Sequence, residues 1–129
     1  MLLGTYEARL IGKNRLVLPS RLRKEIRGDR IVLTVGFEEG IFGFSEDKWT
    51  EVTATDLARP LFSDESARNL RRKMFANAAV VDVDSQGRFV IPENLLEKEL
   101  TGNIVFIGAG DHFEIWNSKK WEEYSKRLK

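Results

Sequence analysis

The chain contains no cysteine and a single histidine, and each scarcity removes a class of function. Without thiols there is no disulfide and no thiolate metal site, which suits a reducing compartment. With His112 alone, no second histidine or cysteine can complete a nucleophile–base pair. Metal ligands would have to be carboxylates, and none cluster at ligand spacing. Gly108-Ala109-Gly110-Asp111 lacks the rest of any phosphate-loop fingerprint, so it reads as a hairpin turn with His112 as an ordinary loop residue. No stretch approaches the roughly 20 apolar residues of a spanning helix. The start, Met1 to Glu7, lacks the basic and apolar regions of a signal peptide. The expectation is a cytoplasmic protein that is not an enzyme, with no cofactor, no metal, no membrane and no small-molecule substrate.

What is present is an ordinary globular composition, 42% hydrophobic and 32% charged over 129 residues. Net charge is only +1 but unevenly spread. Residues 4–30 and 67–76 are strongly basic, whereas residues 31–66 hold two basic against eight acidic side chains. Such segregation points to an anionic partner, and a mixed solvated surface is the other reading it allows.

A duplication organises the chain. Arg15-Leu16-Val17-Leu18-Pro19 recurs 73 residues later as Arg88-Phe89-Val90-Ile91-Pro92. In the same register Leu22 meets Leu95, Ile31 meets Ile104 and Val32 meets Val105; one deletion later Trp49 meets Trp121. Each copy begins with an alternating strand, in which Tyr6, Ala8 and Leu10, or Val81 and Val83, face inward. A tight turn follows, Gly12-Lys13-Asn14 or Ser85-Gln86-Gly87, with Asn14 and Gly87 at the equivalent place suited to positive φ. Leu16–Leu18 and Phe89–Ile91 are apolar throughout, which predicts strands buried on both faces.

Pro19 and Pro92 stop these strands ahead of short helices over Ser20–Arg27 and Glu93–Leu100, which Gly28 and Gly102 end. Second hairpins pair Ile31–Val35 with Ile41–Phe44, and Ile104–Ile107 with Phe113–Trp116. Ser45 and Ser118 stand where caps of Trp-bearing helices belong, and Ser63 where a connector helix to Ala76 starts, with Ala67, Leu70 and Met74 inward. A half of roughly 50–60 residues buries too little surface to stand alone, so the halves are expected to share one core. The fold class is α+β, mostly β: residues 1–51 form a first half, 52–76 a helical connector and 77–129 a second half.

The repeated turn carries the functional signal. Lys13-Asn14-Arg15 and Gln86-Gly87-Arg88 place long donors at a turn tip. Arginine can fork onto guanine or phosphate, asparagine and glutamine can read adenine, and a two-stranded ribbon fits the major groove. An arginine after a turn can equally serve structure, and the spacing of Asp84 and Arg88 invites a cross-turn ion pair. Arg71-Arg72-Lys73 is a second basic patch suited to phosphate or simply to a solvated helix end.

Taken together, Gly12–Pro19, Asp84–Pro92, Phe113–Trp116 and the terminal Trp121-Glu122-Glu123-Tyr124 resemble the MraZ family, over nearly the whole chain. That resemblance implies two AbrB-like swapped-hairpin halves forming one pseudo-twofold barrel with peripheral short helices. It implies a nucleoid-associated regulator, a ring-shaped homo-oligomer that binds short direct repeats in double-stranded DNA upstream of the cell-division and cell-wall operon, its own gene included. Lys13, Asn14, Arg15, Gln86 and Arg88 would contact DNA, with Asp84 organising its turn. The family's Asp-x-x-x-Arg motif stands in the second half as Asp84 and Arg88, whereas Ile11 replaces the aspartate four residues before Arg15. The other class to weigh is an AbrB-like, antitoxin-like interaction module without specific DNA recognition.

Overall fold

Tyr6, Ala8 and Leu10 do alternate with exposed neighbours, and the result is β1, Thr5–Arg9. The computed structural model describes residues 1–96, 100 and 102–128. Over these, β1 is followed by β2 (Arg15–Val17), α1 (Ser20–Glu25), β3 (Arg30–Val35), β4 (Ile41–Ser45) and α2 (Glu46–Leu57). The connector helix α3 (Glu65–Ala76) leads to β5 (Ala79–Asp82), β6 (Arg88–Val90), a 3₁₀ turn at Glu93–Leu95, β7 (Asn103–Gly108), β8 (Phe113–Asn117) and α4 (Ser118–Ser125). The architecture is α+β and mostly strand.

Six strands form one antiparallel sheet in the order β1-β7-β8-β4-β3-β5, and β2 pairs with β6 in a separate ribbon. The two predicted second hairpins form as read. The first strands do not fold back on their own turns as ladders: β1 pairs with β7 of the other half, and β5 with β3. Exchanging equivalent strands maps this order onto itself. Leu16 faces its equivalent Phe89 in the ribbon, and Phe42 faces its equivalent Glu114 where β4 meets β8. The core accordingly draws on both halves, with Leu16, Leu18, Leu22, Ile31 and Leu33 packed among Phe89, Ile91, Ile104, Phe106 and Phe113. The closest approach is at Gly43, where an added Cβ would lie 2.2 Å from the ring of Phe113.

Several local expectations are corrected. Leu16–Leu18 and Phe89–Ile91 are not buried on both faces: the ribbon has a solvent side, on which Val17 is 39% and Val90 48% exposed. Asn14 does not take positive φ; Gly12 does, at 63°, as does Gly87 at 84°. The connector is capped by Asp64, which accepts from the amide of Ala67 at 2.9 Å, one residue beyond Ser63. The last Trp-bearing helix is capped by Asn117, not Ser118, since the Asn117 side-chain oxygen Oδ1 accepts from the amides of Lys119 and Lys120. Ser45 caps α2 through the amide of Lys48. Glu93 begins only a 3₁₀ turn, Leu96 is already extended, and residues 97–99 of the expected helix lie outside the described residues.

His112 is more than a loop residue. Its side chain is 16% exposed, held between Asp111 and Glu114 at 2.8 Å each, and its ring lies against Phe42 and Phe44. Burial by itself would lower its pKa, but the hydrogen bonds to Glu114 and Asp111 outweigh it and the net direction is upward. Burial would raise Glu114, yet its bonds from His112 and Trp116 bring it below its ordinary value. A raised histidine stabilises the fold fully below the unfolded pKa of about 6.5 and loses that contribution as pH climbs through the folded value. Thermal melts are therefore expected to show falling stability from pH 6 to pH 9. His112→Gln should flatten this dependence; an unchanged slope in that variant would rule the pair out as its source.

Candidate nucleic-acid interface

The ribbon of β2 and β6 brings the two basic turns to one surface. In its register Arg15 faces Val90 and Val17 faces Arg88, and all four are on the exposed side, opposite buried Leu16 and Phe89. Arg15 and Arg88 are thus diagonal neighbours on one face, with Cα atoms about 7–8 Å apart. The ribbon extends past its ladder, because Leu18 donates its amide to Gly87 O and Ile91 donates to Asn14 O, both at 2.8 Å. Each turn is therefore seated against the pre-proline residue of the other half. A groove of about 640 Å³ runs beside the ribbon, lined by Arg15, Arg88, Asp82 and Asp84 among others.

The two turns are closed differently. In the second, one carboxylate oxygen of Asp84 accepts from the amides of Gln86 and Arg88 at 2.9 Å each, while the other receives Arg88 Nε at 2.7 Å. The Arg88 guanidinium and amide hold the Asp84 carboxyl below its ordinary pKa. In the first turn Ile11 takes the aspartate's place: Ile11 N donates to Arg15 O at 2.8 Å, as Asp84 N does to Arg88 O at 3.0 Å, but the Arg15 amide returns to the backbone, to Ile11 O at 3.2 Å, instead of to a carboxylate. Losing the aspartate leaves the loop closed but leaves the Arg15 guanidinium with no ion-pair partner among the described residues.

Lys13, Arg15, Gln86 and Arg88 are exposed, and Asn14 is half-buried with its carbonyl engaged. Arg15 and Arg88 thus share one face of the ribbon, while the turns that precede them sit at its opposite ends, Lys13-Asn14 beside Ile91 and Gln86-Gly87 beside Leu18. The basic patch on α3 does not join them as a unit. Arg71 donates through Nη2 to the carbonyls of Asp56, Leu57 and Arg59, closing the end of α2. Lys73 lies 5.3 Å from the centre of the Phe37 ring, and Arg72 donates to Asn69.

One contact could not be foreseen from the repeat. Arg23 on α1 donates through Nη2 to Ser85 O, and its side chain lies over Gly87. Its equivalent 73 residues on is Leu96, so the repeat offers no hint of it. The only signal was the basic character of the segment after Pro19.

Among the described residues, no helix is long and apolar enough to cross a membrane, and no three His, Asp or Glu side chains gather where a metal could sit. The family described as "MraZ protein, putative antitoxin-like" matches twice, over residues 1–73 and 74–129, which is the duplication seen in the sequence. The chain is similar to the transcriptional regulator MraZ of Thermoanaerobacter pseudethanolicus, 38% identical over 126 residues, 97% of this chain and 87% of that one. Its counterparts from Caldanaerobacter subterraneus subsp. tengcongensis (37% identical; 98% and 87% covered) and Oenococcus oeni (38%; 97% and 87%) match over the same span. With both halves matched and relatives aligned over 97–98% of this chain, the protein belongs to the MraZ family.

Proposed function

We propose that this protein is a non-catalytic transcriptional regulator that reads short direct repeats in duplex DNA upstream of the cell-division and cell-wall operon, its own gene included. The observation that carries the reading is the exposed face of the β2–β6 ribbon, which sets Arg15 and Arg88 side by side on a two-stranded element of a width that B-DNA's major groove admits. The relatives' name, transcriptional regulator, supports it. Arg15 and Arg88 are the principal contacts, Lys13, Asn14 and Gln86 assist, and Asp84 fixes the second turn. The strand exchange between halves is the arrangement two AbrB-like swapped hairpins would give. A homo-oligomeric ring would present the ribbon at regular spacing along direct repeats, since rotation relates neighbours in one sense. A promoter reader of this kind works at the nucleoid.

The test is anisotropy with duplexes holding one repeat, two repeats or a scrambled sequence, across a salt series. Preference for the repeats, stronger for two than for one, with affinity falling steeply as salt rises, is the expected result. Equal affinity for all three duplexes would reduce the protein to a non-specific DNA coater.

One observation favours a second reading. Phe62, 92% exposed, stands on a loop held by Arg68, which donates to the carbonyls of Leu61 and Phe62 at 3.1 and 3.0 Å. Leu61 beside it is 47% exposed, so the fixed loop presents two adjacent large apolar side chains that suit a protein partner, and failure to bind any duplex would move this interaction-module reading to first place.

A further inference from the structure

We infer that α1 is the phosphate grip of the DNA interface, and that it serves the turn of the opposite half rather than its own. The inference rests on the DNA-binding reading above.

The two halves are unequal in charge where they are equal in fold. Residues 20–27 carry Arg21, Arg23, Lys24 and Arg27 against Glu25; the equivalent residues 93–100 carry Glu93, Glu97 and Glu99 against Lys98. Phosphate contact is a matter of unpaired positive charge near the duplex. Arg21, Lys24 and Arg27 are exposed and make no ion pair among the described residues. The one carboxylate of α1, Glu25, is already taken by the amino group of Met1 at 3.0 Å.

The strand exchange decides which turn these charges accompany. Arg23 bonds to Ser85 and covers Gly87, and Leu18, Arg23, Ile26 and Asp29 line one groove with Val83, Asp84 and Ser85. The basic segment therefore lies beside Gln86 and Arg88. The first turn receives the other half's segment instead, since Ile91 N donates to Asn14 O immediately before Pro92 and Glu93. One contact is thus composite, with the forked Arg88 among phosphate-seeking neighbours. The other sets Lys13 and Arg15 in the turn that Ile91 joins, where Glu93 and Asn94 stand in place of Ser20 and Arg21. Arg23 acts as a positioning residue, tying helix to turn.

The test compares wild type with the surface triple variant Arg21→Ala/Lys24→Ala/Arg27→Ala on repeat and scrambled duplexes across a salt series. Each phosphate contact contributes about 0.9 to the slope of log affinity against log salt, so the slope should fall by about two to three. Affinity should drop by similar factors on both duplexes. Ethylation interference should show that the phosphates released flank the base pairs whose preference Arg88→Ala loses, not those lost by Arg15→Ala. Asn94→Arg, which restores at the first turn the charge that Arg21 supplies at the second, should raise the slope by about one. An unchanged slope in the triple variant, or released phosphates beside the Arg15 base pairs, overturns the inference while leaving DNA binding intact. Wild type that binds no duplex overturns the DNA reading and this inference with it.

Discussion

Arg88→Ala is expected to abolish most of the discrimination between the repeats and a scrambled duplex, and Arg88→Lys should recover little of it. A well-placed bidentate base contact is worth about 1–3 kcal/mol of discrimination, roughly a 5- to 150-fold effect. Arg88 is prepared for such a contact. Asp84 holds its Nε at 2.7 Å, which leaves the terminal nitrogens to fork outward at little cost in rotamer freedom. Lysine has the charge without the fork. Arg15 has no such buttress among the described residues, so it should act more as a point charge, and Arg15→Lys should keep most of the wild-type affinity. Asp84→Ala gives the opposite signature to loss of a phosphate contact. It deletes a negative charge beside DNA, so binding to the scrambled duplex should tighten while preference for the repeats shrinks. Competition titrations at one salt concentration measure all four variants. Equal retention of specificity by Arg88→Lys and Arg15→Lys would mean that the Asp84 buttress has no part in recognition.

Much of this fold was legible because the sequence is written twice. Period-two alternation marked β1 and β5, apolar runs joined by glycine-bearing turns marked the β3–β4 and β7–β8 hairpins, and Ser45 marked the start of α2. Pairing of the first strands was not legible. A duplicated strand has two nearly equivalent partners, and composition does not say which of them it meets. β1 takes β7 and β5 takes β3, so a turn that reads as a simple hairpin is the point where the chain passes from one pairing to another. The same cause misplaces Val17 and Val90. An unbroken apolar run suggests burial on both sides, but the ribbon covers only one face of the core, leaving these two beside the arginines. Ser63 and Ser118 failed as caps because Asp64 and Asn117, equally good acceptors, each stand one residue away, and sequence spacing does not resolve a single residue at a helix start.

The site was legible in its residues and not in its assembly. The repeated motif singled out Arg15 and Arg88 but left recognition and structure both open for them, and only the family resemblance gave them a DNA-contacting role; the Asp84–Arg88 ion pair that the spacing invited does form. That the two arginines share one face, and that α1 lies against the second turn, follows from the exchange of strands and from Arg23, which has no counterpart in the repeat. The isolated histidine was informative in a different way. One imidazole cannot make a catalytic pair, but two carboxylates and two phenyl rings hold it in the β7–β8 turn, and the carboxylates raise its pKa against the effect of burial.

The strand exchange also fixes how the protein must unfold. Phe106 is fully buried on β7, directly opposite Tyr6 of the first half, with Phe89 and Phe113 at ring distances of 6.4 and 5.9 Å. Phe106→Ala removes a ring and leaves a cavity, a loss of about 3–5 kcal/mol, which is a large share of the 5–15 kcal/mol typical of a domain. If the halves were independent, that loss would fall on the second alone. Here β7 has β1 as its edge partner and β3 has β5, so neither half completes its hydrogen bonding without the other. Amide exchange should therefore show Ile31 and Leu33 on β3 losing protection by the same free energy as Ile104 and residue 106 on β7, with a single transition in denaturant. Protection of β3 that survives the substitution unchanged would show two separable units, and the turn-by-turn DNA contacts would then belong to halves able to move apart. Joint loss would mean that the two arginines are held at fixed separation by the whole core, which is the condition for a ribbon face to read adjacent base pairs in register.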